Sequence, residues 1–241
     1  GSYRFEAIPN EWIANTDKQI RSSTDRWVNA FNFGGPIVQD RLFFYGSGRI
    51  FRSKSVQAAN NLGAIPDRKE ATDEWFGKIT ASLTDSMSLN FGYRHRPTTI
   101  ENAGIGANDS PSVGTDTEGT NRVISANYDW FIGNRSTLSV KYVRMDEQSE
   151  TVALTDLGFQ PTFDPNNLAA MGRVTIGGIA VGGAALNLNR QNYYRDEVKA
   201  DFTQFFDLAG MQHQAKVGFG WDQGVEDLTR VSNGWGDITN I

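Results

Sequence analysis

Apolar and polar residues alternate with a period of two in segment after segment of this chain, and that period marks β-strands with two unlike faces. In the clearest segments Trp75, Gly77, Ile79, Ala81 and Leu83 alternate with Phe76, Lys78, Thr80 and Ser82, and Leu89, Phe91 and Tyr93 with Asn90, Gly92 and Arg94. Ile124, Ala126, Tyr128, Trp130 and Ile132 lie opposite Val123, Ser125, Asn127 and Asp129, while Leu138, Val140 and Tyr142 lie opposite Ser139 and Lys141. Val198, Ala200 and Phe202 oppose Glu197, Lys199, Asp201 and Thr203; Ala215, Val217, Phe219 and Trp221 oppose Gln214, Lys216, Gly218 and Asp222. Two weaker segments come first. Tyr3, Phe5 and Ala7 alternate with Arg4 and Glu6, and Trp27, Asn29, Phe31 and Phe33 with Val28, Ala30 and Asn32, before a break at Gly34-Gly35-Pro36. About nine such strands of roughly ten residues are expected, so the chain reads as all-β.

The connections alternate in length. Thr84-Asp85-Ser86, Gly133-Asn134-Arg135-Ser136 and Asp207-Leu208-Ala209-Gly210 are short turns built of turn-forming residues. Ser55 to Thr72, Pro97 to Thr120 and Thr151 to Asn192 are long stretches rich in Gly, Asn, Asp, Pro and Thr, and are uncommon as loops inside a compact domain. A transmembrane β-barrel has this asymmetry, with short turns at one rim, long loops at the other, and strands of roughly ten residues between them. The predicted architecture is therefore an antiparallel up-and-down transmembrane β-barrel, of which these strands are one part. Strands starting near Leu42, Ser88, Thr137 and His213 run outward. Trp75, Trp130, Phe131, Phe205 and Phe206 sit near strand ends, where a barrel carries aromatic girdles.

Composition narrows the choice without deciding it. Glycine supplies 25 positions and proline 7, and 12% of residues are aromatic, a balance suited to many strands joined by turns. The formal charge of −5 comes with no cluster of Lys and Arg, which removes a nucleic-acid partner. Without cysteine there are no disulfides, Cys-ligated zinc or thiol chemistry. The mean hydropathy of −0.45 says little, because alternating strands average to such a value in lipid as well as in water.

The most specific segment is Phe33-Gly34-Gly35-Pro36-Ile37-Val38-Gln39-Asp40-Arg41-Leu42-Phe43-Phe44-Tyr45-Gly46-Ser47. It reads as a strand ending at the inner rim, a tight Gly-Gly-Pro connection, a polar corner at Gln39-Asp40-Arg41 and an aromatic strand returning outward. It resembles the GGPI signature of Oar-like TonB-dependent outer-membrane transporters. In that family a plug domain fills a barrel of about 22 strands. The resemblance implies that Gly1 to Ala7 is the first barrel strand and that residues 1–241 are the N-terminal part of the barrel, with the plug before it and the remaining strands after it. It also implies a place in the outer membrane of a Gram-negative bacterium, lipid and the protein's own plug as partners, TonB reached through that plug, and uptake of a scarce nutrient or export of a protein. The substrate, whether siderophore, glycan, peptide or protein, stays open. A passive porin or membrane-anchored adhesin is the alternative, and a soluble all-β binding module a third.

No catalytic, cofactor-binding or metal-ligating residue is assigned, and no cofactor or enzymatic activity is expected. His95 and His213 lie on different strands without HExxH spacing. Asp146, Glu147 and Glu150 cluster beyond a strand, where solvated loop-base charges are the plainer reading than a cation site. Gly177-Gly178-Ile179-Ala180-Val181-Gly182-Gly183-Ala184-Ala185 lacks the Lys-Ser/Thr ending of a phosphate loop and reads as a small-residue outer loop, flexible or folded as a hairpin. Lys78, Arg94, Arg96, Lys141, Glu197, Lys199, Asp201 and Lys216 are expected to face the lumen, where contact with a plug is favoured over substrate selection.

Overall fold

The structure is a computed structural model that describes residues 1–8 and 23–239. The alternating segments form strands β1 (Ser2–Ile8), β2 (Ser23–Val38), β3 (Leu42–Val56), β4 (Arg68–Thr84), β5 (Met87–Ala103), β6 (Thr115–Ile132) and β7 (Ser136–Ala153). A four-residue helix, α1 (Leu168–Met171), and a small hairpin, β8 (Gly172–Ile176) and β9 (Ile179–Gly182), come next. They are followed by β10 (Asn187–Leu208), β11 (Met211–Ser232) and β12 (Gly236–Thr239). Nine strands make one antiparallel sheet in the order β1-β2-β3-β4-β5-β6-β7-β10-β11, and β12-β8-β9 form a second, three-stranded sheet.

The register carries the sequence alternation across the whole sheet, since antiparallel partners share a face. One row runs Phe44, Ile79, Phe91, Ala126, Tyr142, Val198 and Trp221. The next, toward the short turns, runs Leu42, Ala81, Leu89, Tyr128, Val140, Ala200 and Phe219. Toward the long loops, however, a row that begins with apolar Phe31 and Trp75 continues as His95, Arg122 and Asp146. The apolar band therefore slopes across the rows. It keeps step with the short turns, which shift down the register from Asp40 to Ala209. Such a slope arises when strands tilt relative to a level boundary, as they do in a barrel crossing a membrane. Among the described residues no second layer packs on the band: Ile79 and Phe91, in the middle of the sheet, are 44% and 43% exposed.

Three expectations need correction. Gly34-Gly35-Pro36 is not a connection, for β2 runs through it with Gly34 opposite Tyr45, Gly35 opposite Phe44 and Pro36 opposite Phe43; the turn is Gln39-Asp40-Arg41. Pro36 is tolerated because it stands at a register shift, between Pro36 and Val38, where the ladder is already interrupted. The outer loops are shorter than the composition implied, at 57–67, 104–114 and 154–186. Their polar flanks belong to strands, and β10 and β11 reach 22 residues each, beyond the roughly ten that cross the hydrocarbon. Finally, Phe131 pairs with Thr137 and Phe205 with Gln214, which puts both on the charged face, whereas Trp75, Trp130 and Phe206 lie on the apolar face.

Candidate functional site

Two surfaces carry the features from which a function can be read: the layer of outer loops and the charged face of the sheet. The outer loops are fastened to one another. Asn60 Nδ2 donates to the carbonyls of Ala107 (3.1 Å) and Asp109 (2.8 Å), joining 57–67 to 104–114. Asp109 Oδ1 accepts from the Ala180 N–H (2.9 Å), and the Ser110 N–H donates to the Ala180 carbonyl (2.7 Å), joining 104–114 to the β8–β9 hairpin. Asn233, 0% exposed, ties the segment after β11 to both ends of 154–186. Its Nδ2 donates to the carbonyls of Thr155 (2.8 Å) and Ala185 (2.9 Å), and its Oδ1 accepts from the Leu157 N–H (2.8 Å). Beside it β12 pairs in parallel with β8, and Met171, Val174 and Ile238 form a small apolar core. Gly183, at φ 84°, lies so near the Gly172 carbonyl that a side chain there has no room. On the outside of this layer Phe159 stays 67% exposed, and the rings of Phe163 and Trp235 pack at 4.8 Å.

The charged face is laced by short ion pairs. Lys199 reaches Glu197 (2.6 Å), Lys216 reaches Asp201 (3.3 Å), Arg94 reaches Glu74 (3.2 Å), and Arg195 pairs with Asp222. Lys141 stands directly opposite Lys199, and among the described residues it makes no ion pair. Aromatic side chains sit among these charges: the Tyr45 and Phe76 rings are 6.0 Å apart, and Phe51 lies under the guanidinium groups of Arg26 (5.3 Å) and Arg49 (5.4 Å).

No family model matches the sequence, and no curated protein matches it. FpvA and YddB are among the solved structures that share its fold. FpvA of P. aeruginosa, solved with iron and a heterologous pyoverdine, superposes on 87% of the chain with a TM-score of 0.57 at 10% identity. The outer-membrane transporter YddB of Escherichia coli superposes on 84% with a TM-score of 0.53 at 12% identity. The fold is that of a transmembrane β-barrel wall. This chain spans 27% and 26% of the lengths of those two chains. In that wall the apolar band faces outward and the charged face lines the interior.

In this frame all eight residues expected in the lumen do share the inner face. Lys78 is level with Tyr45 and Gly92; Arg94 is level with Phe76 and Val123, and Arg96 with Asn121. Lys141, Glu197, Lys199, Asp201 and Lys216 follow on β7, β10 and β11. The carboxylates Asp146, Glu147 and Glu150 are not brought together. Asp146 faces outward beside Arg144 (3.0 Å), Glu150 faces outward against Arg190 (3.0 Å), and Glu147 points inward between them. His95 and His213 are on separate strands, and among the described residues no group of three metal-ligating side chains forms. The glycine-rich segment is a loop hairpin, turning at Gly177-Gly178. Periodicity missed Asn60, Asp109 and Asn233 entirely, since isolated polar residues in a loop carry no pattern and Asn233-Gly234 reads as an ordinary turn.

Proposed function

We propose that the chain is the N-terminal part of the barrel of an Oar-like, TonB-dependent transporter in the outer membrane of a Gram-negative bacterium. In this reading a plug domain precedes residue 1, further strands follow residue 241, and the protein takes up an unidentified substrate or exports a protein through the plugged lumen. The observation that carries it is the apolar band that follows the turns across the seven registered strands β3–β7, β10 and β11 while the opposite face stays charged. The fold shared with FpvA and YddB supports it, as does the Gly-Gly-Pro-Ile segment at the turn end of β2.

Its test uses the full-length protein. Fractionation is expected to leave it in the outer membrane after high-salt washing, and growth on its substrate is expected to require TonB. Release by salt would remove the barrel, and transport without TonB would favour a passive porin. A specific observation favours a second reading, a membrane-anchored adhesin: the fastened loop layer holds Phe159, Phe163 and Trp235 at the surface. Deleting Met171 to Leu188 separates the two, since uptake that survives while surface attachment is lost assigns the layer to adhesion.

A further inference from the structure

The inner face is electrically lopsided. On β1–β5 Arg68 and Glu70 neutralise one another (3.2 Å). The other cations of this face, Arg4, Arg26 (level with Glu70 through Ser53), Arg49, Lys78, Arg94 and Arg96, share only two further carboxylates, Glu6 and Glu74. Glu6 is held by Arg4 (2.9 Å) and Glu74 by Arg94 (3.2 Å), which leaves Arg26, Arg49, Lys78 and Arg96 without an ion pair among the described residues. This surplus occurs in a chain whose formal charge is −5. The β6–β11 part of the same face, by contrast, couples Arg195, Lys199 and Lys216 to Asp222, Glu197 and Asp201.

The patch also has a shape. Ser2, Ala30, Asn32 and Ser47 are small and adjoin one another across three strands, leaving a hollow of about 330 Å³ rimmed by Arg4, Arg49 and Glu74. Next to it the Phe51 ring carries two guanidinium groups, and the Tyr45 and Phe76 rings pack together, with Tyr45 42% exposed. Arginine beside exposed aromatic rings is the composition of protein-binding surfaces rather than of a water-filled channel.

We infer that the β1–β5 inner face is the docking surface for an acidic polypeptide inside the barrel, whose Asp or Glu side chains enter the hollow between Arg4 and Arg49 and pair with Lys78 and Arg96. The inference rests on the transporter reading, and it locates the plug contact on one side of the lumen with a defined sign of charge. Arginine suits such a pairing because its fork binds a carboxylate through two parallel hydrogen bonds.

Zero-length carbodiimide coupling on the intact, full-length protein tests it, because that reagent joins amines only to carboxylates they touch. Lys78 supplies one amine, and the Arg49→Lys and Arg96→Lys variants supply others without changing the charge. Peptide mapping is expected to find all three joined to Asp or Glu of the polypeptide in the lumen. The Arg49→Glu/Arg96→Glu double variant is expected to raise amide exchange in that polypeptide at least tenfold while barrel-strand exchange stays as it was. Coupling confined to Glu6 and Glu74 of the wall, or unchanged exchange in the double variant, overturns the inference and leaves the transporter reading standing. A barrel found with no polypeptide inside it sinks both. If inorganic phosphate raises the melting temperature of the natural protein but not of Arg49→Ala, and no coupling to polypeptide is found, the patch belongs to a solute anion and the inference fails.

Discussion

Ile79 and Phe91, at the centre of the sheet, are 44% and 43% exposed, whereas Ala180 and Asn233, in the outer-loop layer, are both 0% exposed. Among the described residues the buried apolar set includes Val28 as the one member from the nine-stranded sheet; Ile65, Ile105, Val113, Met171, Val174 and Ile238 belong to the outer loops and β12-β8-β9. The contrast reflects two solvents. Where lipid surrounds the wall, apolar side chains are stable facing outward and the backbone is satisfied by its ladder, so no core is needed. Where water surrounds the loops, apolar groups must gather and every buried polar atom must find a partner, as Asn233 does.

The largest expected effect comes from placing a charge on the wrong side of the band. Ile79→Arg is expected to cost about 2–4 kcal/mol when unfolding of the intact protein is measured in lipid bilayers, whereas Thr80→Arg, one residue along and on the inner face, is expected to cost under about 1. Equal costs would mean that both faces meet the same medium, and the comparison would collapse. In the outer layer, Asn233→Ala removes three side-chain hydrogen bonds. Two of the three partner groups are only part-buried and can regain water, so the cost is expected to be about 1–3 kcal/mol in all. The loss is expected to be local: amide exchange rises in 154–186 and 233–239 and stays constant in β4 and β5. A smaller effect, a little over ~1 kcal/mol, is expected for Gly172→Ala. Gly172 has φ 151°, and an added Cβ would lie 2.0 Å from the Gly236 carbonyl oxygen, parting β12 from β8. Limited proteolysis after Ile176 or within 233–239 reports it.

The same division of solvents explains what the sequence disclosed. Alternation at Trp75 to Leu83, or at Val198 to Phe202, is imposed by lipid on one side and a polar interior on the other, so the pattern could be read directly and the register bears it out. The pattern fades where both faces meet water. Thr98 and Thr99, or Gln191 and Asn192, are polar on both sides, and such stretches read as loop although they belong to β5 and β10. Gly34-Gly35-Pro36 misled for a local reason: its residues usually break a ladder, but here Pro36 falls at a register shift next to the turn, where the ladder is interrupted in any case. The loop fastenings were illegible because Asn60, Asp109 and Asn233 act across dozens of residues, through carbonyls and N–H groups whose identity no side chain announces.

The smallest expected effect sharpens the upper boundary of the band. Above the apolar rows the outward face carries Arg190 against Glu150 (3.0 Å) and Lys69 against Glu101 (2.9 Å). If this belt stands in water, an ion pair there gains little over its separately hydrated partners and is weakened further by salt. Arg190→Ala is therefore expected to change stability by no more than about 0–1 kcal/mol. The difference is expected to shrink in 1 M salt, where charges more than a few Å apart are screened. A cost comparable to that of Ile79→Arg, insensitive to salt, would place Arg190 in a desolvated setting. The level at which Trp75 gives way to His95, Arg122 and Asp146 would then no longer mark the edge of the hydrocarbon, and the outer halves of β10 and β11 would have to contact lipid or protein instead of water.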